Sequence, residues 1–404
     1  MTSEPNPSAE RLRALRGELR RRGLDGFLVP MADEYQNEYV PPHAQRIAWL
    51  TGFTGSAGLA VVLADSAAMF TDGRYTLQVR QQVDEALFEL HHITESPPTD
   101  WLAGHLKRGQ KLGYDAWLFT PDQVARFSDA AKRAEAQIIA ADGNPLDAVW
   151  SDQPARPRAP VVPHDLAYAG ESAADKRARL AEALAGKGCE AAVITAADSI
   201  AWLFNIRGGD VEHSPLPLAF AVLHADGRCE LFLEPEKRAD GLEAHLGNAV
   251  GLRHPDEFHG ALVALGRDGR RILADPTLSA AWVFDRLAEG GAEIVRAADP
   301  CQLPKAIKNA VELQGARDAH LRDGAAVVRF LHWLSEAAAA GAVDELAAAE
   351  RLEAFRRENA LFRDLSFPTI TGAGPNGTIV HYRATPQSNR KLQPGELYLV
   401  DSGA

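Results

Sequence analysis

Cysteine is scarce in this chain: Cys189, Cys229 and Cys301 are the three among 404 residues. They are widely spaced and form no Cys-x-x-Cys pair, which excludes a paired-cysteine zinc module and makes reduced thiols in a cytoplasm the simplest expectation. Long hydrophobic runs are missing too. No window approaches the roughly 18 uninterrupted apolar residues of a membrane-spanning helix, so no membrane span is expected. The first residues hold Ser, Glu, Asn and Pro ahead of an arginine-rich segment, not a basic patch followed by an apolar core, so no secretory signal is expected. Positive charge is also in deficit. With 43 Lys and Arg against 55 Asp and Glu, the net charge is -12, and no long basic run offers a surface for neutralising phosphates. A nucleic-acid partner is therefore not expected.

What is present is the composition of a globular protein, 46% hydrophobic and 24% charged. A chain of this length exceeds one ordinary core and predicts two or three domains. Two joints stand out. In 151–164, Pro154, Pro157, Pro160 and Pro163 recur every third residue, a spacing that favours an extended segment. Near 299–304 a proline-punctuated turn precedes a helical region. The domains predicted are 1–158, 159–303 and 304–404.

The first two segments repeat one plan. Each opens with a helix rich in Leu, Arg and Ala (Arg11 to Arg22; Lys176 to Gly186), reaches Gly23 or Gly188, and runs into an apolar strand. Each continues with Trp-Leu, a glycine-bearing turn and a strand pair. The first copy carries extra residues around Tyr35 to His43, which read as a loop insertion. The repeat predicts two tandem α/β domains of similar topology.

In the third segment, Pro304 suits a first helical position, and Gly315 and Gly324 are expected to interrupt or tighten the helices. Asp344 reads as the N-cap of a further helix with Leu346, Ala349, Leu352 and Phe355 at helical spacing. Strands are predicted at 369–372, 378–382 and 396–401, which makes this segment α+β. In the last strand, alternation puts Leu397, Leu399 and Asp401 on one face. A carboxylate on an apolar face needs a hydrogen bond, a counter-charge or a metal.

Several stretches carry chemistry in combination: EYVPPHAQRIAWLTGFTGSAG, MFTDGRYTLQ, WLFNIRGGDVEHSPLP, KAIKNAVELQGARDAHLRDG, FPTITGAGPNGTIVHY and LYLVDSGA. None is decisive alone, but their order and spacing along nearly the whole chain resemble the cytosolic-type aminopeptidase P (Xaa-Pro aminopeptidase) family of pita-bread metallopeptidases. The resemblance implies two creatinase-N-terminal-like α/β domains followed by a truncated pita-bread catalytic domain. It implies release of the N-terminal residue from peptides with proline in the second position, by a homodimer in the cytoplasm.

It further implies two divalent metal ions, usually Mn2+, held by two aspartates, a histidine and two glutamates, and it places the first of these ligands on Asp401. Such a pair, about 3.5 to 4 Å apart, activates a bridging water and polarises the scissile carbonyl. One carboxylate cannot hold it, so the 404 residues alone are expected to be inactive. By the same resemblance His381 binds substrate and shuttles protons, a role suited to an imidazole that both accepts and donates near neutral pH. Arg74, after the turn signal Asp72-Gly73, is matched to a residue that reaches the peptide site and pairs with a substrate carboxylate.

Asp210, Glu212 and His213 look like a metal cluster, but the resemblance gives them no metal role, and they read as a polar loop between domains. The run Gly52, Gly55, Ser56, Gly58 lacks the helix start and downstream acid of a dinucleotide fingerprint. The alternative from another class is a metal-free pita-bread module that binds peptides or proteins. Prolidase and creatinase are weaker alternatives, since those relatives have one N-terminal domain.

Overall fold

The computed structural model describes residues 7–341 and 343–404. It divides into two compact units: residues up to Leu166 with Glu171–Ile307, and Ala167–Gly170 with Lys308–Ala404.

The first unit contains the repeat. Strands β1 (Gly26–Pro30), β2 (Leu59–Leu63), β3 (Ala67–Thr71), β4 (Glu89–His92), β5 (Lys111–Tyr114) and β6 (Gln137–Ala140) form one sheet in the order β4-β3-β2-β1-β5-β6. A short strand β7 (Val162–Pro163) comes next. The second sheet uses β8 (Ala191–Ile194), β10 (Phe220–His224), β11 (Cys229–Phe232), β12 (Val250–Arg253), β13 (Arg271–Ala274) and β14 (Glu293–Arg296), while β9 (Ile206–Arg207) pairs with β7. Its order is β12-β11-β10-β8-β13-β14.

Position for position this is the first sheet again. In each, the opening strand pairs antiparallel with the second and parallel with the fifth, and the third and fourth are parallel. Strands β1, β2 and β8 are buried along their whole length, which is why they read as unbroken apolar runs and not as alternating ones.

The helices repeat too. Helix α1 (Pro7–Arg21) buries Leu12, Leu15 and Leu19, and α2 (Ala173–Gly186) buries Leu180 and Leu184. Ser172 caps α2 by accepting from Asp175 N. Gly23 and Gly188 come after the two helices at φ +67° and +65°, the left-handed conformation that ends a helix without a side-chain clash.

The extra residues of the first copy are built into the unit. Tyr35 stacks on Phe220 with ring centroids 4.6 Å apart, and the buried Glu34 accepts from Arg156 at 2.9 Å. Trp117 stacks on Trp282 at 3.8 Å. The proline-rich segment is pinned as well: Val161 N donates to Lys237 O at 2.7 Å, and Ala159 N donates to Asp210 Oδ1 at 3.2 Å.

In the second unit, α3 (Ala310–Ala339) is one continuous helix, whereas the sequence predicts interruptions. Gly315 and Gly324 face open space, and about 1 kcal/mol each is a tolerable loss within a capped helix of 30 residues. Its capping box is Asn309 with Glu312, while Pro304 lies in a separate short helix, Gln302–Ala306. Asp344 does cap α4 (Glu345–Arg357), accepting from Ala347 N at 2.9 Å. That helix buries Ala348, Leu352 and Phe355 against Phe330, Ala373 and Leu392.

Strands β15 (Ile370–Ala373) and β16 (Tyr398–Asp401) pair antiparallel, with Ile370 opposite Asp401. The strand expected at 378–382 is absent. Residues 374–378 form a 3-10 turn and His381 adopts φ +56°. The chain folds back here because Gly372 and Gly377 touch backbone to backbone: a Cβ on Gly372 would sit 2.7 Å from Gly377 Cα.

Candidate functional site

Asp401 ends β16. Tyr398 and Val400 turn towards the core, so the opposite face carries Leu397, Leu399 and Asp401, as the alternation predicts. On that face Leu397 is 89% and Leu399 43% exposed, and Asp401 is exposed with them. The carboxylate therefore does not carry the cost expected of a buried one. The next two residues are held firmly. Gly403 O accepts from Ser366 N at 2.9 Å, and Ser402 Oγ accepts from Arg356 Nη2 at 3.2 Å. Arg356 is itself buried and forks onto Asp323 at 2.7 and 3.1 Å.

His381 is half-buried in the turn beyond Gly377. Gly374 N donates to Leu397 O at 2.9 Å, and a Cβ on Gly377 would lie 3.6 Å from Leu399 Cβ. The turn thus folds over the hairpin face that also carries Asp401. Tyr382, next to His381, is buried, and its hydroxyl meets the fully buried carboxylate of Glu345 at 3.1 Å. Burial first, and the Glu345 charge after it, push the Tyr382 phenol upward.

Arg74 lies in the first unit. Its guanidinium forks onto Asp72, with Nη2 to Oδ2 at 2.7 Å and Nε to Oδ1 at 3.0 Å, and stacks 5.2 Å from the Tyr75 ring centroid. Hydrogen bonding to Asp72 raises the Arg74 pKa, and Arg74 lowers that of Asp72.

Asp210 and Glu212, expected on one face, part company. Asp210 is buried, accepts from Leu218 N at 2.7 Å and forms a short ion pair with the buried Lys237, whereas the Glu212 side chain is 86% exposed beside His213. The pair is a structural lock on the 208–218 loop, and the partners of Asp210, Lys237, Leu218 and Ala159, all lie in residues 159–303, so it ties the loop within one domain and not across two.

Among the described residues no group of three or more His, Cys, Asp or Glu side chains converges as a metal site. Asp401 is one candidate ligand, fewer than a pair of metal ions takes, and no further carboxylate or imidazole converges on it in a group of three among the described residues. Sequence reasoning missed Arg356 and Glu345. Both lie on α4, and their only signal is a charged residue at a helical position that faces the core.

Models of the creatinase/prolidase N-terminal domain match residues 11–148 and again 152–312, and metallopeptidase family M24 matches 314–404. A probable Xaa-Pro aminopeptidase P of Coccidioides posadasii (strain RMSCC 757 / Silveira) is 35% identical over 414 residues, covering 99% of this chain and 67% of the relative. One from Coprinopsis cinerea is 37% identical over 415 residues, covering 98% and 66%. Among solved structures, an X-prolyl aminopeptidase from Caenorhabditis elegans, described as a cytosolic enzyme with a di-nuclear active site, superposes with a TM-score of 0.90 at 30% identity. That match covers 98% of this chain and 67% of the other.

Fold and matches together define a chain of the M24 metallopeptidase class preceded by two creatinase/prolidase-type domains. Within that class, the chain belongs to the Xaa-Pro aminopeptidase P family. It spans about two thirds of the length of these relatives, 66% and 67%.

Proposed function

We propose that this chain is part, about two thirds by length, of an Xaa-Pro aminopeptidase that releases the first residue from peptides with proline in the second position. The observation that carries this reading is the superposition of 98% of the chain on a solved X-prolyl aminopeptidase with a TM-score of 0.90. In the proposal, residues 1–158 and 159–303 are the two α/β domains and 304–404 the start of the catalytic domain. Asp401 supplies one ligand to a pair of divalent ions, Mn2+ by preference, and the remaining ligands come from residues outside these 404. Asp401, exposed at the end of its strand, is in keeping with this division, and in the proposal the 404 residues by themselves are inactive.

His381 is the proton-handling and substrate-binding group. One ring nitrogen can accept while the other donates, and the turn that holds it shares the hairpin face of Asp401. Arg74 is the candidate for a substrate carboxylate, in exchange for Asp72. A cytoplasmic homodimer completes the proposal.

A second reading is a metal-free module that binds peptides or proteins. The two separate in one assay. Extended at its C-terminus to the length of its relatives, the protein releases the first residue of Xaa-Pro-Xaa peptides with Mn2+ present and leaves Xaa-Ala-Xaa controls intact. No release from any Xaa-Pro peptide would favour the binding module.

A further inference from the structure

Glu345 is a buried carboxylate with no ion-pair partner among the described residues. It occupies the first turn of α4, is 0% exposed, and accepts from four separate points of the chain. Oε1 takes Ala373 N at 2.7 Å and Asn376 Nδ2 at 3.0 Å; Oε2 takes Arg390 N at 3.0 Å and Tyr382 OH at 3.1 Å. All four donors are uncharged, and the Arg390 guanidinium is engaged by Glu396 at 2.8 and 3.0 Å. A buried carboxylate of this kind is held by hydrogen bonds and by the positive end of its helix, and it is costly to leave incomplete.

The donors are not scattered. Ala373 ends β15, Asn376 sits in the 3-10 turn, and Tyr382 is the residue directly after His381. Asn376 Nδ2 also donates to Tyr382 OH at 2.8 Å, so both flanks of the 376–382 loop meet on one carboxylate. Between them His381 holds φ +56°, a left-handed conformation that costs a non-glycine residue on the order of 1 kcal/mol and persists only where its surroundings impose it. Local turn bonds, Ile379 N to Asn376 O and Tyr382 N to Ile379 O, are both long at 3.2 Å. Glu345 adds bonds from both ends of the loop to one buried carboxylate, at 3.0 Å from Asn376 and 3.1 Å from Tyr382.

We infer that Glu345 is a positioning residue: it closes the 376–382 loop through Asn376 and Tyr382 and thereby fixes the backbone from which His381 serves the site. This rests on the proposed role of His381. Replacing Glu345 by Gln keeps the shape and two acceptor contacts but turns the second oxygen into a donor facing Arg390 N and Tyr382 OH. Tyr382 OH then gives its proton to Ser388, whose Oγ is 2.9 Å away, and can only accept from the new amide, so its tie reverses and loses the carboxylate charge while Arg390 N is left facing a donor.

The test uses the 404-residue chain with its 13 histidines labelled at 13Cε1, the His381 resonance being identified by its loss in His381→Asn. In Glu345→Gln the His381 resonance moves by several linewidths or broadens, while His320 and His332 of the same unit stay in place. Should Glu345→Gln fail to fold, Asn376→Ala gives the same displacement from the other tie. A His381 resonance unmoved in a folded variant, or one that moves only together with His320 and His332, overturns the inference. The readout needs no peptidase activity, so failure of the extended protein to cleave Xaa-Pro peptides would defeat the functional reading without deciding this one. In an extended protein that is active, Asn376→Ala lowers kcat with KM little changed; the reverse split would count against positioning.

Discussion

Asp33 is buried among Tyr35, Asn37 and Glu34, and burial lifts its carboxyl to about 6 despite three hydrogen bonds from Tyr35 N, Asn37 N and Asn37 Nδ2. The folded group keeps its proton where an unfolded aspartate, with a pKa of about 3.9, has lost it. Stability contributed at this residue therefore falls as pH rises from about 4 to about 6 and is level outside that window, by on the order of 3 kcal/mol in all. Urea unfolding of the chain and of Asp33→Asn at pH 4 and pH 6 should show the gap between them shifting against the parent at the higher pH; parallel profiles would contradict the assignment.

Arg356 gives a second residue-scale expectation. Asp323→Ala leaves a buried guanidinium without its counter-ion and should cost about 3 kcal/mol in chemical denaturation, partly recovered by adding Arg356→Met. A loss near zero would show that the pair does not anchor the Asp-Ser-Gly turn. Neither residue was legible beforehand. The sequence displays charge and position, whereas the partner of each comes from a distant element.

Elements show a different division. The Asp344 cap and the face alternation of 396–401 were legible because they depend on neighbours in the chain. The long helix across Gly315 and Gly324 was not, since its capping box and packing outweigh two glycines. The 378–382 strand failed for a related reason: its alternation is real, but the Gly372–Gly377 approach and the Glu345 carboxylate override it. Gly372→Ala accordingly should push the turn off the hairpin and destabilise the second unit by roughly 1 to 3 kcal/mol, read as a lower unfolding midpoint. An unchanged midpoint would mean that the backbone contact does not shape the turn.

For the whole molecule, the duplicated α/β plan was readable because each copy repeats its helix, glycine and buried strand in order, and the two sheets share one strand order. The candidate site was readable only as isolated residues. Arg74 belongs to one unit, His381 and Asp401 to the other, and the carboxylate set that would complete a metal centre is not found among the described residues.

Everything proposed for the site turns on Asp401 being a working ligand of a peptidase centre shared with residues beyond the 404. The most direct measurement compares Xaa-Pro cleavage and bound Mn2+ in the C-terminally extended protein with those of its Asp401→Asn variant. Metal-dependent cleavage is expected in the former, and loss of roughly 100-fold or more in rate together with bound metal in the latter. Equal rates and equal metal content in the two proteins would contradict that role.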